Sequence, residues 1–215
     1  LIILATVAVG QKDWTKEADL TYQAEAFFGA IDVYKKAYSK EKKQSEKSRI
    51  LFRIGECYRM IQQADQAEVW YEKAVAAAYD SPELPLRYGD VLMKQGKYDE
   101  AVKKYRESLA KASGSVKAEA EKGIASCEKA IKLSNEPARY VVKNEVQLNT
   151  SYYDFSSFFA DKKFESIMFS STRPGASGGS DDEITGEGFS DIFLSQRDPK
   201  GKWSAPVPLA ETINS

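Results

Sequence analysis

Two stretches of the chain, residues 49–74 (RILFRIGECYRMIQQADQAEVWYEKA) and residues 83–108 (ELPLRYGDVLMKQGKYDEAVKKYRES), align when one is shifted by 34 residues. The alignment pairs small and aromatic residues at matching offsets: Gly55 with Gly89, Ala67 with Ala101, Tyr71 with Tyr105, and Ala74 with Ser108. A fixed period of this length is typical of repeats built from one pair of helices. The pattern therefore predicts a helical solenoid in the first part of the chain.

These positions resemble the tetratricopeptide repeat (TPR), in which antiparallel helix pairs stack into a curved solenoid. In such a unit the glycine lets the first helix approach its neighbour, the alanine lies where the two helices cross, and the tyrosine fills a gap between repeats. An earlier copy precedes the second by 37 residues and contains Ala30, Tyr34 and Ala37. We expect three extra residues in the turn Ser39–Lys47 to account for the longer offset, and Val116–Leu133 to form a capping helix.

The first helices of TPR proteins line the concave face, so the resemblance implies where a partner protein would bind. The implied positions are Asp19, Tyr22, Arg49, Phe52, Glu56, Arg59, Glu83, Leu86, Asp90 and Met93. Glu56 and Asp90 stand where chaperone-binding TPRs carry asparagine, and we expect these acids to repel a peptide carboxylate. The alternative is that this face is an ordinary solvated surface and that the partner binds elsewhere.

The sequence changes character near residue 140, where aromatic and β-branched residues begin to alternate with serine. This alternation predicts strands over Ile167–Ser171 and Ser190–Ser195. It also predicts a third, outer strand that starts at Lys202–Ser204 and runs toward Pro206 and Leu209. Aspartate, proline and glycine predict turns at Asp161–Lys163 and Asp198–Gly201. The chain is therefore expected to be α-helical first and β-stranded second.

Three short motifs of the second part resemble a blade of the WD-like, TolB-type β-propellers: Phe169–Arg173 (FSSTR), Asp191–Phe193 (DIF) and Gly201–Trp203 (GKW). The triplet Leu148–Thr150 recurs 65 residues later as Ile213–Ser215, which looks like the start of a second blade. A single blade leaves both sheet faces open, so the resemblance implies a chain that continues beyond residue 215. The competing interpretation is a small, self-contained sheet packed on the last helix.

The chain begins with an apolar run, LIILATVAV, that is shorter than the about 20 residues a membrane-spanning helix requires. Ala8 and Gly10 suit cleavage by signal peptidase, so we predict the remnant of a signal peptide. The alternative is an apolar strand or helix start that belongs to the fold. The predicted domains are residues 1–10 (signal remnant), 11–134 (TPR solenoid), 135–143 (linker) and 144–215 (first propeller blade).

The two cysteines, Cys57 and Cys127, lie about two repeats apart in this register. That separation exceeds the Cα distance of about 7 Å that a disulfide tolerates. We therefore predict two free, buried thiols that pack as small apolar residues.

Several classes of chemistry are disfavoured by composition. The chain has no histidine, which removes Ser-His-Asp and Cys-His catalysis, and its net charge of −1 gives no nucleic-acid footprint. Gly175–Gly179 matches G-x-S-x-G but lacks the flanking strand and helix, so we interpret it as a flexible loop. An acidic cluster could bind calcium but misses the spacing of a calcium loop, and its last member is better placed to cap a turn; it contains Asp181, Asp182, Glu183, Glu187 and Asp191. We expect no catalytic residue, cofactor or metal.

The order of the two parts resembles a family of envelope proteins from Bacteroidetes-type bacteria. In that family TPRs and a TolB-like propeller precede an OmpA-like domain that binds peptidoglycan, and some members belong to the type IX secretion system. The resemblance implies a non-catalytic scaffold in the periplasm, associated with the outer membrane. Its partners would be envelope or secretion-system proteins, with peptidoglycan bound only by a domain not in this sequence. The alternatives are an exported propeller-type peptidase with its catalytic domain beyond residue 215, and a cytoplasmic TPR adaptor.

Overall fold

The computed structural model describes residues 13–136, 140–176 and 181–214. The predicted signal remnant, residues 1–10, and most of the G-x-S-x-G motif, residues 177–179, lie outside the described residues. Contacts divide the chain into two compact units, with the boundary between Glu136 and Pro137.

Helices make up the first unit. In chain order they are α1 (Trp14–Gln23), α2 (Phe27–Lys40), α3 (Gln44–Met60), α4 (Ala64–Ala76), α5 (Glu83–Lys94), α6 (Tyr98–Leu109) and α7 (Gly114–Ser134). Consecutive helices pack in pairs, and each second helix also packs on the first helix of the next pair. The seven helices of the described residues agree with three helix pairs followed by one further helix, and the role of α7 as a cap stays a prediction. No helix in the described part of this unit combines the length and apolar character needed to cross a bilayer.

In the second and third repeats a buried tyrosine packs against a glycine. A Cβ atom added to Gly55 would lie 2.6 Å from the ring of Tyr71, and one added to Gly89 would lie 2.7 Å from the ring of Tyr105. A Cβ atom on Gly123 of α7 would lie 2.5 Å from the same Tyr105 ring. Tyr105 thus fills the gap between its own repeat and the capping helix. Only glycine permits these close approaches between helices.

The longer first repeat is not explained by a longer turn. The turn between α2 and α3 contains only residues 41–43, whereas α3 begins at Gln44 and so extends further before Gly55 than α5 does before Gly89. The prediction that the extra residues lie in the turn Ser39–Lys47 is wrong, because most of them lengthen α3. The extension consists of residues 44–48 and carries Glu46, whose carboxylate accepts a hydrogen bond from Arg49.

The first helices lie on the inner side of the repeat stack. α3 contacts α5, and α5 contacts α7, whereas among the described helices α2, α4 and α6 make no comparable contact with one another. A stack whose first helices approach one another more closely than its second helices curves toward the first helices. We call the exposed surface of α1, α3 and α5 the inner face.

Both cysteines are free and buried, as predicted. Cys57 packs with Ile50 and Ile54 in the core under the first two repeats, and Cys127 packs in the core of the later repeats. Burial raises the pKa of the Cys57 thiol to about 12, so the thiol stays protonated at neutral pH.

The described part of the second unit is a four-stranded antiparallel sheet. Its strands, β1 (Asp154–Phe159), β2 (Ser166–Ser171), β3 (Asp191–Gln196) and β4 (Val207–Pro208), pair in chain order. The two central predicted strands are confirmed with a shift of one residue at their ends, and both predicted turns are present. The predicted outer strand is confirmed in part: at its start Trp203 forms only an isolated bridge with Arg197, and the strand that pairs with β3 is limited to Val207–Pro208. Assignment of the sheet to a propeller stays a prediction.

A buried ion pair organises the sheet. Arg173 Nη2 donates to Asp154 Oδ1 and to the carbonyl oxygen of Leu148, both at 2.6 Å. The guanidinium also lies over the rings of Phe169 and Phe193. Burial opposes ionisation of Asp154, but hydrogen bonds from Arg173, Ser171 and Thr150 outweigh burial and lower the pKa of Asp154 to about 2. Arg173, the last residue of the FSSTR motif, therefore connects the buried rings of β2 and β3 with Asp154 in the edge strand β1.

The two recurring triplets share one local turn. The N–H groups of Leu148 and Asn149 donate to Glu145, and those of Ile213 and Asn214 donate to Ala210 in the same way. Beyond the turn they differ, because Asn214 is buried and its amide bonds both backbone groups of Ile192 in β3, whereas Asn149 is exposed.

Candidate interaction site on the first helices

Each first helix carries one acid that is held by the buried tyrosine of the same repeat. The hydroxyl of Tyr34 donates to Asp19 Oδ1 at 2.6 Å, that of Tyr105 donates to Asp90 Oδ1 at 2.9 Å, and that of Tyr71 donates to Glu56. The tyrosine follows its acid by 15 residues in all three repeats. We call Asp19, Glu56 and Asp90 the acid row.

Every member of the acid row is also paired with an arginine. Arg49 donates to both oxygens of Asp19 at 3.0 and 2.9 Å, which joins the first helices of repeats one and two. Arg59 binds both oxygens of Glu56 at 3.0 and 2.9 Å.

In the third repeat Arg87 bridges Asp90, at 3.1 Å, and Glu119 of the capping helix, at 2.8 Å. The negative charge of the acid row is thus compensated within the chain. This pairing removes the basis for the expected repulsion of a peptide carboxylate by Glu56 and Asp90.

The protonation states of these groups follow from burial and contact. Burial and the neighbouring carboxylate of Glu56 raise the pKa of Tyr71 well above its usual value, so the hydroxyl keeps the proton that it donates. Burial opposes ionisation of Asp19, but hydrogen bonds from Arg49 and Tyr34 outweigh burial and lower its pKa. The acid row is therefore a fixed pattern of carboxylates that accept hydrogen bonds from tyrosine and arginine.

The structure divides the ten sequence-predicted contact residues into two groups. Phe52, Glu56 and Leu86 are only 2%, 5% and 0% exposed, so they support the repeats and cannot touch a partner in this conformation. The other seven retain exposed surface: Asp19, Tyr22, Arg49, Arg59, Glu83, Asp90 and Met93. Their role in binding stays a prediction.

Sequence reasoning missed two arginines on the inner face. Arg53 and Arg87 each follow a buried residue, Phe52 or Leu86, and occupy the partly exposed position beside it. The guanidinium of Arg53 lies 5.0 Å from the ring centre of Tyr22. No carboxylate of the described residues forms an ion pair with it. The sequence contained a signal for Arg53: it follows Arg49 by four residues, which places both on the same face of α3.

The described residues contain no group of three or more Cys, Asp or Glu side chains placed to hold a metal ion. Asp182 of the acidic loop instead accepts hydrogen bonds from the N–H of Ile184 and the hydroxyl of Thr185. Asp191, which the sequence assigned to a turn cap, is buried at the start of β3. The site with the most developed geometry is therefore the acid row and the surface around it.

The tyrosine contact predicts a measurable loss of stability. Replacing Tyr71 by phenylalanine removes the hydroxyl that donates to buried Glu56, and we expect the free energy of unfolding to fall by about 1.5 kcal/mol. Urea denaturation followed by circular dichroism at 222 nm measures the change.

The matched control is Tyr79→Phe, because Tyr79 stacks on Phe52 and its hydroxyl has no hydrogen-bond partner among the described residues. This change should alter stability by less than about 0.5 kcal/mol. Equal losses in the two variants would contradict the role given to the Tyr71–Glu56 bond.

The sequence matches no family model and none of the curated proteins with which it was compared. Solved helical proteins resemble it in fold. The Yersinia enterocolitica type III secretion chaperone SycD, in complex with a peptide of the translocator YopD, is 21% identical, with 57% of this chain and 92% of that chain covered and a TM-score of 0.47.

The Sgt2 TPR domain from Aspergillus fumigatus is 18% identical, with 61% and 87% covered and a TM-score of 0.48. PcrH from Pseudomonas aeruginosa is 19% identical, with 60% and 99% covered and a TM-score of 0.46. Each likeness concerns the fold alone.

Proposed function

We propose that this chain is a non-catalytic scaffold that binds a partner protein on the inner face of its helical unit. The observation that supports the proposal is the acid row, in which tyrosine and arginine fix a carboxylate at the same place in every repeat. Groups that are already held in place lose little conformational entropy when a partner binds. Next to this row, Arg53 offers a cation that forms no ion pair with a carboxylate of the described residues, and the ring of Tyr22 offers an apolar contact.

The chemistry of the described residues also favours binding over catalysis. Both thiols are buried, and the three acids of the acid row are bound to arginine and tyrosine. The exported-peptidase alternative has no observation of the described residues in its favour.

A finer version of the proposal places the scaffold in the bacterial envelope. Its support is the sequence resemblance alone: a repeat region followed by FSSTR, DIF and GKW, the order found in the envelope family that includes PorE of the type IX secretion system. In this version the protein acts in the periplasm as an accessory component that links the secretion machinery to the outer membrane or peptidoglycan.

The test is capture of a partner by variants of the inner face. The immobilised chain, its Arg53→Glu variant and its Lys103→Glu variant are incubated with the same envelope extract, and retained proteins are identified by mass spectrometry. Lys103 is exposed on α6, away from the inner face, so Lys103→Glu makes the same charge change as a control.

We expect at least one protein to be retained by the wild type and by Lys103→Glu, and to fall about tenfold or more with Arg53→Glu. Retention that is identical in all three would overturn the assignment of the inner face. Retained proteins without any envelope or secretion component would overturn only the finer version.

A further inference from the structure

The repeat stack leaves a groove at each junction, on the side away from the inner face. The first groove lies between α2 and α4 over α3 and encloses about 560 Å³. The second lies between α4 and α6 over α5 and encloses about 390 Å³. Residues 34 apart occupy equivalent places in the two grooves: Leu51 and Pro85, Trp70 and Lys104, and Lys73 and Glu107.

The first groove is separate from the inner face. Leu51, which lines the groove, and Arg53, which lies on the inner face, differ by two positions and therefore by about 200° around α3. A ligand in the groove would touch the side of α3 opposite to Arg53.

The first groove has aromatic walls with ammonium groups resting on them. Lys73 Nζ lies 3.9 Å from the ring centre of Trp70, and Lys47 Nζ lies 5.1 Å from the ring centre of Tyr38. Neither ammonium forms an ion pair with a carboxylate of the described residues, whereas Lys35 nearby is paired with Asp32 at 3.8 Å. The rim of the groove therefore carries positive charge that the described chain does not compensate.

The second groove has the same geometry but satisfied charges. Lys104 is paired with Glu107 at 2.9 Å, and Lys111 is paired with Asp80. The equivalent of Trp70 is Lys104, so that this groove lacks the tryptophan, and Tyr79 is the aromatic residue in its lining. The repeat geometry produces both grooves. Only the first has, beside Tyr38 and Trp70, lysines that form no ion pair with a carboxylate of the described residues, which suits a ligand that is both apolar and negatively charged.

We propose that the groove between α2 and α4 binds an acidic segment of a partner protein. An apolar side chain of that segment lies between Tyr38 and Trp70, and flanking carboxylates bind Lys47 and Lys73. The charge of the rim argues for an acidic partner, and the volume is within the range of about 300–1,000 Å³ that is common for binding pockets. This surface is independent of the inner face.

The test measures binding of a defined peptide by fluorescence anisotropy. The probe is a short fluorescein-labelled peptide in which glutamates alternate with leucines, and its matched peptide carries glutamine in place of every glutamate. We expect Lys73→Glu and Lys47→Glu each to weaken binding of the acidic peptide about tenfold, with Lys103→Glu unchanged and the glutamine peptide bound about tenfold more weakly. All three substitutions are at solvent-accessible lysines, and circular dichroism confirms that the helices are intact.

Three results would overturn the proposal. One is a failure of either comparison: the wild type and both groove variants bind the acidic peptide with equal affinity, or the wild type binds the acidic and the glutamine peptide equally. A second is loss of peptide binding with Arg53→Glu, which would assign the peptide to the inner face and leave the proposed function standing. The third is a dimer in sedimentation analysis that Trp70→Ala abolishes, because the groove would then hold a second copy of this chain.

Discussion

Replacing Arg173 by leucine should lower the free energy of unfolding of the sheet unit by about 3–5 kcal/mol, because it leaves the buried carboxylate of Asp154 without its cation. Ser171 and Thr150 still donate to Asp154, but neither brings a charge. The guanidinium is also lost from the rings of Phe169 and Phe193. Hydrogen exchange measured by mass spectrometry reports the change in peptides that cover β2 and β3, separately from the helices.

The cost should depend on pH in a defined direction. The folded-state pKa of Asp154 is depressed to about 2, so its ion pair contributes stability above the unfolded-state value of about 3.9 and loses that contribution as the pH falls toward 2. The difference between the wild type and Arg173→Leu should therefore shrink in acid.

The matched control is Arg197→Leu, the same substitution at an exposed arginine that lies over the ring of Trp203. Loss of that contact should cost less than about 1 kcal/mol. If the two leucine variants were equally stable at neutral pH, the structural role of the Asp154–Arg173 pair would be wrong.

The second large effect concerns a helix contact. Gly89→Ala places a methyl group 2.7 Å from the ring of Tyr105, and the ring cannot retreat because Gly123 of α7 lies against it on another side. Alanine is the better helix former by about 1 kcal/mol, but overpacking of a fully buried ring outweighs that preference. We expect a net loss of about 2 kcal/mol in urea denaturation.

Gly29→Ala makes the identical change at an open position of α2, where an added Cβ atom meets nothing within 4 Å. Here helix propensity alone acts, and we expect a gain of about 0.5–1 kcal/mol. The opposite signs of the two substitutions separate packing from propensity. A gain in stability with Gly89→Ala would show that the ring of Tyr105 is not confined.

The helical unit could be predicted from sequence because its signals are local. The small residues and tyrosines that recur every 34 positions are the residues that pack helix against helix, so their spacing predicts the helical repeat. The contact residues of the inner face were harder to predict: the repeat pattern indicates Phe52 and Leu86, whereas the partly exposed residues are their neighbours Arg53 and Arg87. Adjacent residues on a helix differ in their exposed fraction, and that fraction depends on how closely the next repeat approaches.

Side-chain contacts between residues far apart in the chain could not be predicted from the sequence. The contact between Asp19 and Arg49 joins residues 30 positions apart, and it forms because the first helices of repeats one and two lie side by side. The position of Lys47 over the ring of Tyr38 likewise joins two helices, α3 and α2, and was not visible in the sequence.

In the sheet unit the alternation of apolar and polar residues predicts the two central strands, whereas it predicts a longer outer strand than the structure has. β4 contains only Val207 and Pro208, and proline lacks the N–H group that would extend the ladder. The hydrogen bonds of Arg173 to Asp154 and Leu148 span many residues and were not visible in the FSSTR motif.

The most direct test of the scaffold proposal is site-specific cross-linking in living cells. A photoreactive phenylalanine analogue is placed at Arg53, on the inner face, or at Lys103, on α6, and the cells are irradiated. The account predicts a covalent adduct with a partner protein from position 53 and none from position 103. Adducts from position 103 alone, or equal yields from the two positions, would contradict it.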